Sequence, residues 1–517
     1  MTTLLRLRFA ASSAMLILLL GAGAYAADGK QVLEDACSAC HVQEGGKFAR
    51  IDSVRKTPEA WDMTVQRMMR NHHLELTTED RIAVVRYLAE TRGLSVGETE
   101  DYRYILEREP VAHDTGPNQL MTETCGRCHS YARVALQRRS PDDWTKLVNF
   151  HLGQFPTIEY QALARDRDWW GIAQTEIATY LAETYPLGEA PEAAPADLSG
   201  AWVLAGRQPG RGDYSGTLAL KASGDGYDVT MRLDFADGSE TYAGSGILIG
   251  AGEWRATLKG GNDKEIRQVF ALKADGSLEG RWFLSSQDVT GGRIAAVRED
   301  AEPRILSVSP AYLRKGEATE VTVSGTNLPA DPVLPEGVTG EVVSASPGKV
   351  VLKLRADTSG NLPIALGGVS ASSPFVVFEQ LDRITIVPEL AMSRVGGGGG
   401  PIPKTPAQFE AVGWLNGPDG QAGTDDDIRV GYFPAIWTMD NFDEAAAAME
   451  DVKYAGTIDE NGLFTPGDAG PNLERPMMAN NVGNLKVVAT VDDAGRKLTA
   501  EAHLYATVQR FVDALIR

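Results

Sequence analysis

Apolar positions change their period along this chain. Up to about residue 186 they recur with the spacing of a helix face, as in Ile82, Val85 and Leu88, and again in Ile177, Tyr180 and Leu181. Two helix starts share one signal. Thr57-Pro58-Glu59-Ala60-Trp61 and Ser140-Pro141-Asp142-Asp143-Trp144 each set a hydroxyl N-cap before a proline, with acids in the first turn. Each segment then closes on the same five residues, Tyr-Leu-Ala-Glu-Thr, at 87–91 and at 180–184, so the region is an internal repeat. From residue 198 short β-type runs alternate with glycine-rich turns, at 217–220, 227–231, 246–249 and 267–272. That spacing predicts an antiparallel barrel or sandwich, with Trp202, Trp254 and Trp282 in its core. The expected fold class is multidomain, an all-α region followed by all-β domains. The expected units are 27–112 and 113–190 (helical), a linker at 191–197, and β domains at 198–300, 303–380 and 381–517. The segment 498–516 fits strand or helix equally well.

The first residues form a targeting segment. Arg6 and Arg8 precede an apolar run from Met15 to Leu20, and Ala24-Tyr25-Ala26 supplies a small-x-small cleavage site. A signal peptide over 1–26 and a periplasmic mature protein are therefore expected. No apolar run is long enough to span a bilayer. The net charge of -20 disfavours nucleic acid and anionic membrane as partners, and suits a basic redox protein.

All four cysteines lie in two Cys-x-x-Cys-His motifs, Cys37-Ser38-Ala39-Cys40-His41 and Cys125-Gly126-Arg127-Cys128-His129. Thiols three positions apart meet the two vinyl groups of a porphyrin edge, and the adjacent histidine reaches the iron. Zinc would need further cysteines or paired histidines that the chain does not offer. Two covalently bound c-type haems are expected, on Cys37, Cys40, Cys125 and Cys128, with His41 and His129 as iron ligands.

Superposing the repeats on their tryptophans points to the sixth ligands. Seven positions, about two helical turns, separate Trp61 from Met68 and Trp144 from His151. His151 is the nearby candidate for the second iron. For the first, the repeat favours Met68, while Met69, His72 and His73 remain alternatives and Met63 is read as core. A thioether ligand raises the potential relative to a second imidazole, so the His41/Met68 haem is expected to be the higher-potential centre. Trp169-Trp170, in an insertion over 154–171, is read as capping the core. Asp419, Asp425, Asp426 and Asp427 in the loop 419–427 fit a turn, with calcium as the alternative. His113 and His503 lack companion ligands and are read as structural.

The two helical units resemble class I cytochrome c domains over residues 28 to 186. Residues 305–310 and 321–328 resemble the immunoglobulin-like domains of plexins and transcription factors, and 381–517 is expected to be a second such domain. Two cytochrome units followed by three β domains resemble the alpha subunit of the quinohaemoprotein amine dehydrogenases. That resemblance implies a small partner subunit bearing cysteine tryptophylquinone, which oxidises primary amines, and a β-propeller subunit. It also implies an external acceptor such as a small cytochrome or copper protein, and one bis-His haem beside one His/Met haem. Every thiol of this chain is committed to haem, so the quinone belongs on another chain. The alternative is a stand-alone dihaem carrier with β docking domains; a dihaem peroxidase fits the β tail poorly.

Overall fold

The computed structural model describes residues 28–110, 114–127, 129–154, 168–194, 197–372 and 375–509. The expected leader, Cys128, His113 and most of the insertion at 154–171 lie outside them.

The expected all-α region followed by all-β domains does not form. Among the described residues the chain is mostly β, and no helix exceeds the 15 residues of Pro58–His72. The N-terminal region mixes short helices with π-helical turns at Leu33–Cys37 and Ala173–Ile177 and with two small antiparallel ladders. One ladder pairs Val54–Lys56 with Gln137–Arg139 and so joins the two repeats. Its cause is local. Thr57 precedes a proline, which disfavours helical backbone, and Thr57 is extended at φ -65, ψ 160. The residues leading into each helix are extended too, and they pair. Helical periodicity therefore overstated how much of the region is helix.

Each repeat keeps its helix starts. Thr57 Oγ1 accepts from Ala60 N, and Ser140 Oγ accepts from Asp143 N. Gly29 lets the first helical turn lie against the closing helix Thr78–Thr91, since a Cβ there would fall 2.2 Å from Ala83 O.

Residues 200–298 decide between barrel and sandwich. Eight antiparallel strands form a closed barrel, in which Gln287–Arg298 returns to pair with Gly200–Gln208. Eight strands leave a lumen that side chains fill, and here Trp202, Trp254, Trp282, Tyr214 and Phe270 are all buried in it. Trp254 Nε1 donates to Gln268 Oε1 at 2.9 Å, and the Gln268 amide reaches Met231 Sδ. Trp254→Phe leaves that oxygen without a donor and opens a void, so a loss of about 2–4 kcal/mol is expected in denaturant unfolding. Adding Gln268→Leu should recover part of it, because an apolar pair has no unmet hydrogen bond.

Residues 304–378 form three small sheets around one core that joins Val321, Val323 and Leu352 to Leu313, Phe375 and Val377. Residues 383–507 add three further small sheets and two helical turns, Glu444–Ala448 and Asp451–Tyr454, so the C-terminal domain is not purely β. The undecided C-terminal segment is the strand Arg496–Thr507, paired with Gly483–Asp493; residues 510–517 lie outside the described set.

The barrel is the platform for the N-terminal repeats. Leu94, Leu106, Ala132 and Leu136 from the repeats pack with Val269 and Phe283 of the barrel. Beside them runs a buried ion network. Glu253 accepts from Arg103 at 2.5 Å and from Arg255 at 2.8 Å, while Arg255 also reaches Glu59 at 2.6 Å and Arg103 reaches Glu107 at 3.1 Å.

Candidate functional site: two Cys-x-x-Cys-His pockets

The first motif folds as a turn. The amides of Cys40 and His41 both donate to Cys37 O, which brings His41 back beside the thiols. Cys37 is half-buried and Cys40 exposed, and these thiols and that of Cys125 are free of disulfides. Burial, with the neighbouring Cys40 thiol, pushes the Cys37 pKa up. His41 Nδ1 lies 2.9 Å from Ala49 O. A carbonyl can only accept, so Nδ1 carries the proton and Nε2 keeps the lone pair. Ala49 is placed by a two-residue hairpin in which Gln43 pairs Phe48 and Glu44 pairs Lys47. Its turn residues, Gly45 and Gly46, sit at φ 57 and 81, a conformation that selects glycine.

The second motif has the same polarity. His129 Nδ1 lies 2.9 Å from Ser130 O, and His151 Nδ1 lies 2.8 Å from Leu147 O, one turn back on the helix Pro141–Gln154. Both rings therefore present Nε2 outward from their own backbone. Burial pushes both imidazole pKa values down, and the charge of Arg133 adds to the effect on each. His151 also acts on His129, so the two rings share one electrostatic neighbourhood although they come from different elements. Cys128 lies outside the described residues.

The tryptophan register of the repeat has a tertiary counterpart. Trp61 Nε1 donates to Arg92 O at 3.0 Å, and Trp144 Nε1 donates to Tyr185 O at 3.1 Å. Both acceptors are the residue just after the Tyr-Leu-Ala-Glu-Thr pentapeptide, so each indole ties its helix to the end of the closing one.

Around the first motif the sulfur candidates separate. Met69 packs on the cluster of Leu33, Trp61, Val65 and Leu88, with Cys37 at its edge. Met68 is half-buried outside that cluster, as is Met63, which was expected in the core. His72 and His73 are exposed at the helix end, where His73 is the left-handed cap at φ 56.

Several charged and aromatic side chains near these pockets escaped the sequence reading. Tyr131 and Tyr102 both place their hydroxyls against that of Tyr185, at 3.2 and 3.5 Å. Lys56, Arg67 and Arg133 gather at the junction of the repeats. A signal for Lys56 was available: the same superposition sets it on Arg139, which pairs with Asp143, whereas the first repeat has Ala60 at the matching position.

The other candidates resolve simply. Trp170 is half-buried, and the short helix Trp169–Ile172 is capped by Asp168. In the acidic loop, Asp426 accepts from Asp419 N, and Asp427 accepts from Gly423 N and pairs with Arg383. These carboxylates thus hold a turn together. His503 stacks on Phe442 with centroids 3.8 Å apart.

The family model described as quinohemoprotein amine dehydrogenase A, alpha subunit, haem binding, matches residues 27–191. Models for domains II, III and IV of the same alpha subunit match 195–299, 302–379 and 384–516. This chain belongs to the quinohemoprotein amine dehydrogenase alpha-subunit family. It accordingly has a haem-binding domain, and it is one subunit of an amine-oxidising oxidoreductase complex. The residues fit such a group: three histidines each spend Nδ1 on a carbonyl and keep Nε2 for a metal, beside thiols in attachment spacing.

Solved structures similar to parts of this family member include a redesigned β-barrel, 13% identical, covering 19% of this chain and 87% of that one at a TM-score of 0.17. A de novo fluorescence-activating β-barrel is 17% identical, covering 20% and 92% at 0.17. A mouse clustered protocadherin is 13% identical, covering 45% and 76% at 0.18. None of the curated proteins matches.

Proposed function

We propose that this chain is the dihaem electron-transfer subunit of a periplasmic quinohaemoprotein amine dehydrogenase. It takes electrons from a tryptophylquinone on a small partner subunit during oxidative deamination of primary amines. It passes them to an external acceptor, a small cytochrome or copper protein, in a complex completed by a β-propeller subunit. Cys37 and Cys40 would attach one haem, with His41 and Met68 on its iron. Cys125 and Cys128 would attach the other, with His129 and His151. Haem iron supplies one-electron exchange when bound. The chain's residues orient the ligands, and burial lowers the pKa of His129 and His151.

The observation that carries this reading is the His129–His151 pair. Both rings have Nδ1 fixed by a backbone carbonyl, and they lie near enough for one charge to act on the other. That is the donor set of an iron with two axial imidazoles. In the first unit, the core position of Met69 and the exposure of His72 and His73 favour Met68.

Adding a primary amine to the native complex should reduce both haems, seen in the absorbance of the ferrous bands. Removing the small subunit should abolish that reduction. Amine reduction that persists without it, or none at all with it, would overturn the assignment and leave a stand-alone carrier. Attachment is checked separately. The denatured chain should retain two porphyrins, and Cys37→Ala with Cys40→Ala should lower that to one.

A further inference from the structure

Three cations meet where the two repeats join. Lys56 is 8% exposed, and its Nζ donates to Thr64 Oγ1 at 3.0 Å and lies 5.1 Å from the centroid of the Trp61 ring. Arg67 stands one turn beyond Thr64 on the helix Pro58–His72, and its Nε donates to Met63 O at a long 3.5 Å. On the other side of the junction Lys56 pairs in register with Gln137, whose amide donates to Arg133 O at 3.0 Å. Among the described residues none of these three cations pairs with a carboxylate. Asp143, the nearest acid acting on Lys56, is bound to Arg139.

This is costly. Each desolvated, unmatched charge costs several kcal/mol, yet among the described residues no carboxylate stands here as a partner. Three such cations in one place call for an anion that the described residues do not supply. Arg133 lies on the helical turn Ala132–Ala135, which follows directly on the motif ending in His129, and this sets the cluster beside the second pocket; the charges of Arg67 and Arg133 also act on His151. A haem bound there, as proposed above, brings two propionate carboxylates.

We infer that Lys56, Arg67 and Arg133 form a cationic seat, built from both repeats, for the propionates of the haem held by His129 and His151. The seat balances two buried carboxylates and favours the reduced iron, because cations nearby offset the charge added on reduction. It also makes the second haem site depend on two residues of the first unit.

The test uses the full complex with Lys56→Met and, separately, Arg133→Gln. Each should lower the ferrous-to-ferric ratio of the bis-imidazole haem roughly tenfold at fixed potential, about 59 mV for a one-electron couple. The carboxylate bands in redox-difference infrared spectra should shift with it, and Lys56→Arg should restore both. Lys56→Met is tolerable to the fold, since it replaces an unmatched charge with an apolar chain of similar length. An unchanged potential and unchanged carboxylate bands, with the haem present and bis-imidazole in its spectrum, would sink the seat and leave the electron-transfer reading intact. Loss of the bis-imidazole signature from the unmodified protein would instead overturn that reading.

Discussion

Exchanging His151 for methionine is expected to raise the midpoint potential of the second-unit haem and bring it towards that of the first. A thioether is a poorer donor to ferric iron than imidazole, and axial-ligand identity is one of the protein's main controls over haem potential. The rise should be on the order of 0.1 V, within the roughly 0.8 V range that axial ligands set. His151 is well oriented for the proposed ligation because Leu147 O, four residues back on the same helix, accepts from its Nδ1 at 2.8 Å. Methionine keeps the reach but loses that tether, so a weaker, more heterogeneous site should accompany the shift. Spectroelectrochemical titration that resolves the two haems is the measurement. A shift confined to the other haem, or no shift, would remove His151 from the iron. The same titration tests the order of potentials, with the His41/Met68 centre expected to be higher. Met68→His should lower that centre, while Met69→Leu should leave it in place.

Glu253→Gln should destabilise the docking of the repeats on the barrel by about 1–3 kcal/mol, because two buried guanidinium groups lose a charged partner and keep only Glu107 and Glu59. Glu253 is 4% exposed and accepts from both Arg103 and Arg255. Burial pushes its pKa up, but the guanidinium groups of Arg255 and Arg103 outweigh burial and hold it below the usual carboxylate value. A carboxyl with a depressed folded pKa contributes stability at pH values above its unfolded pKa, about 4.3 for glutamate, and loses it as pH falls through the folded value. Glu107 acts in the opposite sense, since burial raises its pKa despite Arg103 and Arg293. The gap between wild type and Glu253→Gln should therefore be full at neutral pH and shrink in acid below about pH 4. Thermal unfolding of the complex at both pH values tests this. A gap that is absent, or equal at both, would show that the network does not hold the interface.

Local features were legible wherever the chemistry sits in a few consecutive residues. The two Cys-x-x-Cys-His motifs, the hydroxyl-proline helix starts and the Trp61/Trp144 register needed no tertiary information, and the indole bonds to Arg92 O and Tyr185 O put that register into three dimensions. The fold class was misread for a related reason. Helical period reports a face, not a length, and three-residue strands such as Val54–Lys56 are too short to show alternation. Charge was also misleading in isolation. Arg103 and Glu253 look like surface residues, because what allows their burial lies far along the chain.

The sequence by itself determined the two Cys-x-x-Cys-His motifs, the repeat and the family's domain order, since residue spacing and helix caps act over a few bonds. Tertiary structure alone decided that the β run from Gly200 to Arg298 closes as a barrel, that the repeats join through a small ladder, and that three cations from two units share one place. Those outcomes depend on which distant segments meet, and meeting is settled by the free energy of burial and pairing over the whole chain rather than by any local preference.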